Sequence, residues 1–282
     1  MARFVQKLSI LRVISFVLAL SVGQILANIP VLNNSYPGGI AVIDFETSLS
    51  KPKATYSNVK LLVQKVKENH WQTIVGIPLL TKPGTKEIVI IGAHVQRIKF
   101  EVNEHLYEEQ IITLTGKNKK YVSPNITQTD RINKERKALT IARKKFSDTA
   151  MSDGFFIAPV DGNITSSFGS KRTYNGEDGL PHTGIDFSGS IGTKVKSSAS
   201  GKVILVGDFF FNGNCIFIDH GKGLISAYMH LNKTQVKYGQ KIQQGDIIGT
   251  IGKTGRSTGP HLHWSVYLNG TVVNPLLLLE KN

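Results

Sequence analysis

Cysteine is almost absent: Cys215 is the only one in 282 residues. No intramolecular disulfide can form, and no cysteine-based zinc knuckle either, so any bound metal must use histidine and carboxylate. Acidic residues are scarce beside basic ones, 20 Asp and Glu against 34 Lys and Arg, which leaves a formal net charge of +14. That balance favours an anionic partner such as cell-wall carboxylates, lipopolysaccharide or phospholipid. The aromatic-studded basic motifs that bind RNA or single strands are missing, so nucleic acid is not an expected partner. After the N-terminus no stretch is apolar for the ~20 residues that span a bilayer. Helical periodicity is nearly missing from residues 151–282. Charged residues make up 19% and hydrophobic ones 40%, a globular rather than a disordered composition.

The first residues read as an export signal. Arg3, Lys7 and Arg12 form a basic region, Val13 to Leu20 is apolar, and the small residues Gly23 and Ala27 offer cleavage points. We expect a signal peptide over residues 1–27 with cleavage at Ala27, and an uncleaved anchor as the alternative. Either way the body is exported, to the periplasm or cell envelope. An exported chain without disulfides suits a bacterial envelope.

Residues 28–120 alternate short apolar runs with turn chemistry, as at Pro37-Gly38-Gly39 and Lys82-Pro83-Gly84-Thr85. The runs Ile40–Ile43, Val59–Val66, Trp71–Leu79, Glu87–Ile91, Arg97–Val102 and Gln110–Leu114 predict a small β-rich domain, a sandwich or open barrel. His70, His94 and His105 have no ligand spacing and are expected on the surface or in packing. Residues 121–150 predict a basic helical linker, capped by Thr129 or Asp130, with Ile132, Leu139, Ala142 and Phe146 as its apolar stripe. Its Arg and Lys residues read as a solvated face, with contact to an acidic polymer or the envelope membrane surface as the functional alternative.

Residues 151–282 predict a second domain, an antiparallel β-sheet of short strands separated by glycine turns. A strand opens it at Pro159–Gly169, a Gly-rich loop runs from Ser170 to Leu180, and further strands fall at Gly201–Gly207, Cys215–Gly221, Leu224–Leu231, Ile247–Ile251 and His261–Leu268. Side chains alternate along a strand, so His261 and His263 share one face. If Pro181-His182-Thr183-Gly184-Ile185-Asp186 is extended, His182 and Asp186 share a face too, with Gly184 leaving room between them. His230 ends a third strand. Four histidines and one carboxylate on three short β segments are what a catalytic zinc site needs: three ligands, a fourth position for water, and groups that move protons and steady an oxyanion. His220 precedes a turn glycine and reads as structural. Cys215 reads as a buried strand residue.

Three segments, Pro181-His182-Thr183-Gly184-Ile185-Asp186, Tyr228-Met229-His230-Leu231 and Gly255-Arg256-Ser257-Thr258-Gly259-Pro260-His261-Leu262-His263-Trp264, in this order, resemble the lysostaphin-type family of zinc peptidoglycan endopeptidases over roughly residues 155–279. The resemblance implies that Zn2+ is held by His182, Asp186 and His263, while His230 and His261 stay off the metal and do the proton work. Strand geometry alone does not divide the pair in this way. Pro37-Gly38-Gly39, Val75-Gly76-Ile77-Pro78-Leu79 and Lys82-Pro83-Gly84 resemble the β domain found upstream in Gram-negative members. The implied function is hydrolysis of peptide cross-links in bacterial peptidoglycan, at D-Ala–diaminopimelate. The Thr173–Leu180 loop, with Glu177 and Asp178, departs from the family pattern and leaves the preferred peptide open.

Two other readings compete. Some family members have lost zinc ligands and act as silent wall-binding activators of another hydrolase, but a purely structural site has no need of His230 and His261. Metal-binding barrels of the cupin kind also use His-x-His, but with the pair first and the lone histidine last. A further expectation is that the first domain or its basic connector covers the cleft until the wall or a regulatory envelope protein displaces it.

Overall fold

A computed structural model of the protein describes residues 28–92, 94–148 and 154–280. The expected signal peptide, residues 1–27 with its cleavage point at Ala27, lies outside the described residues. Among the described residues no helix is long and apolar enough to cross a membrane.

The chain begins with β1 (Ile40–Glu46), β2 (Lys53–Tyr56), β3 (Val59–Lys60), β4 (Leu62–Lys67), β5 (His70–Gly76), β6 (Gly84–Ile91) and β7 (Val95–Val102). They form two sheets, in the orders β1-β5-β4 and β3-β2-β6-β7. Alternate residues face inward, as period 2 requires: Ile43 and Phe45 from one sheet meet Ile88 and Ile90 from the other in one buried cluster. The run Val59–Val66 was expected as one strand, and it is two, in different sheets. Leu61, 2% exposed, crosses the core between them, and its N–H donates to Ala54 O at 2.9 Å.

Next come β8 (Glu109–Ile112), a 3-10 turn at Gly116–Tyr121, and α1 (Ile126–Arg143). The expected caps at Thr129 and Asp130 lie inside α1. Asn125 caps it instead, because its side chain accepts from Gln128 N while Gln128 answers the Asn125 N–H, a capping box. Of the expected stripe, Leu139 and Ala142 pack with Phe217, Ala227 and Tyr267, so the helix rests on the second domain. Phe146 lies beyond the helix end and carries the Lys60 ammonium over its ring at 4.1 Å.

The remaining strands are β9 (Ile164–Ser166), β10 (Lys171–Tyr174), β11 (Glu177–Asp178), β12 (Ile185–Ser188), β13 (Lys194–Lys196), β14 (Gly201–Phe209), β15 (Gly213–Asp219), β16 (Leu224–Thr234), β17 (Lys241–Ile242), β18 (Ile247–Ile251), β19 (His261–Leu268) and β20 (Thr271–Val273). Ten of these strands make one sheet, with β17-β14-β15-β16-β19-β12-β9 as its path and β18, β13 and β20 alongside. The molecule is thus mainly β, with a helical connector between an N-terminal β domain and an antiparallel sheet, as the sequence predicts. Of the expected strand over 159–169 only β9 is extended. The expected loop from Ser170 to Leu180 is instead the β10–β11 hairpin, turned by Asn175 and Gly176, both at positive φ. β8, read as part of the first domain, pairs in parallel with β10.

The two β domains share a core. Ile40, Leu62 and Ile74 belong to the same buried cluster as Trp264, Val266 and Val273. Asn269 spans the boundary, accepting from Leu62 N at 3.1 Å and donating to Ile74 O at 2.9 Å. An apolar interface of this kind holds the domains in one orientation.

Candidate metal centre

Three neighbouring strands build the site. β12 and β19 pair so that Asp186 lies directly opposite His263, and β19 and β16 pair so that Met229, beside His230, lies opposite His263 as well. His182 arrives from irregular chain, since β12 begins only at Ile185. The expected extension of residues 181–186 is therefore confined to its last two residues. His182 still meets Asp186, because its own N–H donates to Ser170 O at 2.9 Å and anchors the bend. His230 does not end its strand. It sits inside β16 at the register shift of the β15–β16 pairing, with φ of +62°, a left-handed conformation that a non-glycine residue seldom adopts. Its N–H donates to Asn212 O and its Nδ1 to Thr254 O at 2.8 Å, which hold it there.

One ligand atom each from His182, Asp186 and His263 lies within 4.8 Å of the others, and all three residues are buried. Asp186 Oδ1 stands 3.0 Å from His182 Nε2 and 2.8 Å from His263 Nδ1. The opposite ring nitrogens are engaged elsewhere. His182 Nδ1 faces Ser167 O at 2.7 Å; a carbonyl can only accept, so that nitrogen carries the proton and Nε2 keeps its lone pair. His263 Nε2 meets the Ser265 hydroxyl at 2.8 Å, which can accept from an Nε2–H and leave Nδ1 bare. Two imidazole lone pairs and a carboxylate oxygen turned toward one another fit a metal ion, each histidine steadied through its second nitrogen. Burial pushes the Asp186 carboxyl up, but the His182 and His263 hydrogen bonds outweigh it and hold the group well below the usual carboxylate range. Burial lowers His263 to about 4 against the pull of Asp186.

His261 lies on the same face of β19 as His263, yet its Nε2 stays 3.8 Å from Asp186 Oδ1. Its Nδ1 donates to Gly259 O at 2.9 Å. His230 and His261 rings stand 4.8 Å apart. In both, a backbone carbonyl fixes the tautomer with Nε2 bare. Burial pushes His230 down to about 3, helped by the neighbouring His261 and His263.

Sequence reasoning missed Arg172. From β10 it donates to Asp186 Oδ2 at 3.2 Å, to Ser166 Oγ at 2.8 Å and, through Nε, to Gln110 Oε1 at 3.1 Å. Asn175-Gly176, a two-residue hairpin signal, could have revealed the strand that carries it. Gln110 makes β8 part of the site's surroundings. The cleft above the site, about 420 Å³, is lined by residues of the second domain and also by Ile112 of β8, Leu114 just after it, and Ile132, Arg136 and Leu139 of α1.

The remaining candidates stay apart. His220 is fully buried between Ser200 O and Ser226 Oγ, each at 2.7 Å, as a structural histidine should be. His105 stacks on Tyr36 and His70 pairs with Glu46. Cys215 is buried, and burial pushes its thiol far up.

The family model described as Peptidase family M23 matches residues 180–275, and that described as Peptidase family M23 N-terminal domain matches residues 33–105. A Pseudomonas aeruginosa crystal structure assigned to peptidase M23 superposes with a TM-score of 0.74 at 37% identity, covering 88% of this chain and 96% of that one. Peptidoglycan DD-endopeptidase ShyA of Vibrio cholerae is 40% identical over 121 residues, 42% of this chain and 28% of ShyA. An uncharacterized metalloprotease of Buchnera aphidicola is 50% identical over 96 residues, 34% of this chain and 25% of the relative. The matches thus span about a quarter of these curated relatives' length.

Proposed function

This chain belongs to peptidase family M23, and from that premise we propose that it is a zinc-dependent endopeptidase hydrolysing peptide cross-links of bacterial peptidoglycan, at D-Ala–diaminopimelate. The observation that carries the reading is the convergence of His182, Asp186 and His263 within 4.8 Å beside two further histidines with bare Nε2 atoms. His182 Nε2, Asp186 Oδ1 and His263 Nδ1 would hold the zinc, with Arg172 fixing the second oxygen of Asp186. Zinc bound there supplies Lewis acidity, acidifying water and polarising a carbonyl. The chain's own groups do the rest. His230, neutral at working pH, takes a proton at Nε2. His261, likewise bare at Nε2, faces the charge that develops on the scissile carbonyl once a proton reaches it from His230, and the pair then passes that proton to the leaving amine. The wall substrate draws support from the name of the Vibrio relative and from the basic balance of the chain. Export to the periplasm or envelope is part of the same proposal and rests on the basic and apolar pattern of residues 1–27.

The test is digestion of purified peptidoglycan by the full chain, with chelator and with zinc added back, beside His263→Ala and His230→Ala. Release of un-cross-linked peptides that zinc restores, lost in both variants while only His263→Ala loses its metal, is the expected result. Bound zinc without any cleavage would turn the reading toward a silent, wall-binding activator.

A further inference from the structure

Arg256 sits on the loop that sets both proton-handling histidines. Two residues before it, Thr254 O accepts from His230 Nδ1; one residue after it, Ser257 Oγ lies 3.2 Å from His261 Nδ1. The loop is fixed to the β14–β15 turn. The Arg256 N–H donates to Phe211 O at 2.9 Å, and Gly255, at φ of +69°, packs so closely that a β-carbon would meet Gly213 N at 2.3 Å. The Arg256 side chain turns into the same cleft as His182, Asp186 and His263.

Its guanidinium lies 4.5 Å from the centre of the Tyr174 ring and 5.0 Å from that of Phe211. Tyr121 braces Phe211 in turn. Held between rings, the side chain has already lost much of its rotamer freedom. Yet among the described residues no carboxylate lies within 4.0 Å of it, and no oxygen accepts from its N–H groups. Of the other charges lining the cleft, Arg136 is exposed on α1 and Arg143 donates to Leu139 O. Arg172 is paired with Asp186, and Glu135 takes hydrogen bonds from Arg131 and from Phe210 N. Partly buried charges are normally paired, and a planar guanidinium fork fits a carboxylate in a way no other side chain does. A rigid, unpaired guanidinium beside the reacting centre is what recognition of a substrate carboxylate requires.

We propose that Arg256, clamped between Tyr174 and Phe211, is a specificity-determining residue that binds a free carboxylate of the substrate close to the scissile amide. This rests on the endopeptidase reading above and sharpens it: the preferred cross-link carries a carboxylate on the diamino acid whose nitrogen is acylated, and amidation of that carboxylate disfavours it. The contribution lies in binding, so it is separable from turnover.

Two synthetic D-Ala–diaminopimelate peptide dimers serve as probes, identical except that one has the diaminopimelate carboxylate beside the scissile nitrogen amidated. Binding is measured by calorimetry with the zinc-loaded full chain carrying His230→Ala, so that neither dimer is consumed. The expected result is roughly tenfold tighter binding of the free acid, the difference a charge-assisted bond typically makes. Adding Arg256→Gln abolishes the preference, and Arg256→Lys restores part of it. Equal affinity for the two dimers in the parent, binding of neither, or a preference that survives Arg256→Gln overturns the proposal. Turnover of the same dimers by the unsubstituted chain reads the endopeptidase assignment separately. A chain that prefers the acid but cuts neither dimer loses the hydrolase reading and keeps the anchor.

Discussion

Gly184 has no room for a β-carbon. One built there would meet Trp264 O at 2.3 Å and His263 Nε2 at 2.8 Å. The first is backbone paired in the sheet and cannot move, so the imidazole must. Gly184→Ala is expected to lose bound zinc and about 2 kcal/mol of stability, read by metal analysis and thermal unfolding, since overpacking at a closed site typically costs that much. Arg172 acts at one remove, through the free oxygen of Asp186. Arg172→Ala should weaken zinc affinity by roughly 10- to 100-fold in a chelator competition, the usual cost of losing such a partner. Unchanged affinity would reduce Arg172 to a wall of the cleft. His230, at φ of +62°, is the complementary case, an unfavourable conformation maintained because two backbone carbonyls fix the residue on both sides.

Among the elements, α1 and β8 matter most because neither stays with the domain that precedes it. β8 adds a parallel edge to β10, and α1 is tied to the second domain by Arg131 to Asp208 at 3.1 Å and Glu135 Oε2 to Phe210 N at 2.7 Å. The β sandwich is fused to the catalytic-side sheet through a common core. A cover that lifts from the cleft would therefore have to be α1 with β8, not the sandwich. Asn125→Ala removes the cap that starts the helix. It should cost about 1 kcal/mol in denaturant unfolding while zinc content stays unchanged, as an isolated cap loss does. The expected cap at Thr129 or Asp130 failed for a local reason: Asn125 and Gln128 satisfy each other's neighbourhood one turn earlier, a pairing that was present in the sequence.

The molecule as a whole buries a histidine that no ligand needs. Burial lowers His220 from its ordinary 6.5 to about 4, although the Ser200 carbonyl pulls the other way. Between those values the unfolded chain binds a proton that the folded one refuses. The stability His220 contributes is therefore intact above pH 6.5 and lost as pH falls toward 4, on the order of 3 kcal/mol in all. Unfolding free energies at pH 7 and pH 4.5 should show the loss, and His220→Asn should show a smaller one. An identical slope in the variant would assign acid sensitivity to other groups.

The sequence by itself determined the mainly β character, a helical connector between two β regions, and five polar residues whose segments the fold brings together. Alternation and glycine turns are local, and His182, Asp186, His230, His261 and His263 stand in short segments with recognisable spacing. Only the tertiary structure decided how those segments meet. The register of β12 on β19 sets Asp186 opposite His263, so that His263 joins the cluster and His261, on the same face, stands off. β8 reaches β10 across some sixty residues to bring Gln110 to Arg172. Arg256 and its two rings come from three separate segments. Pairings between distant segments depend on which packed surfaces they close and leave no local pattern for a reader of the chain to find.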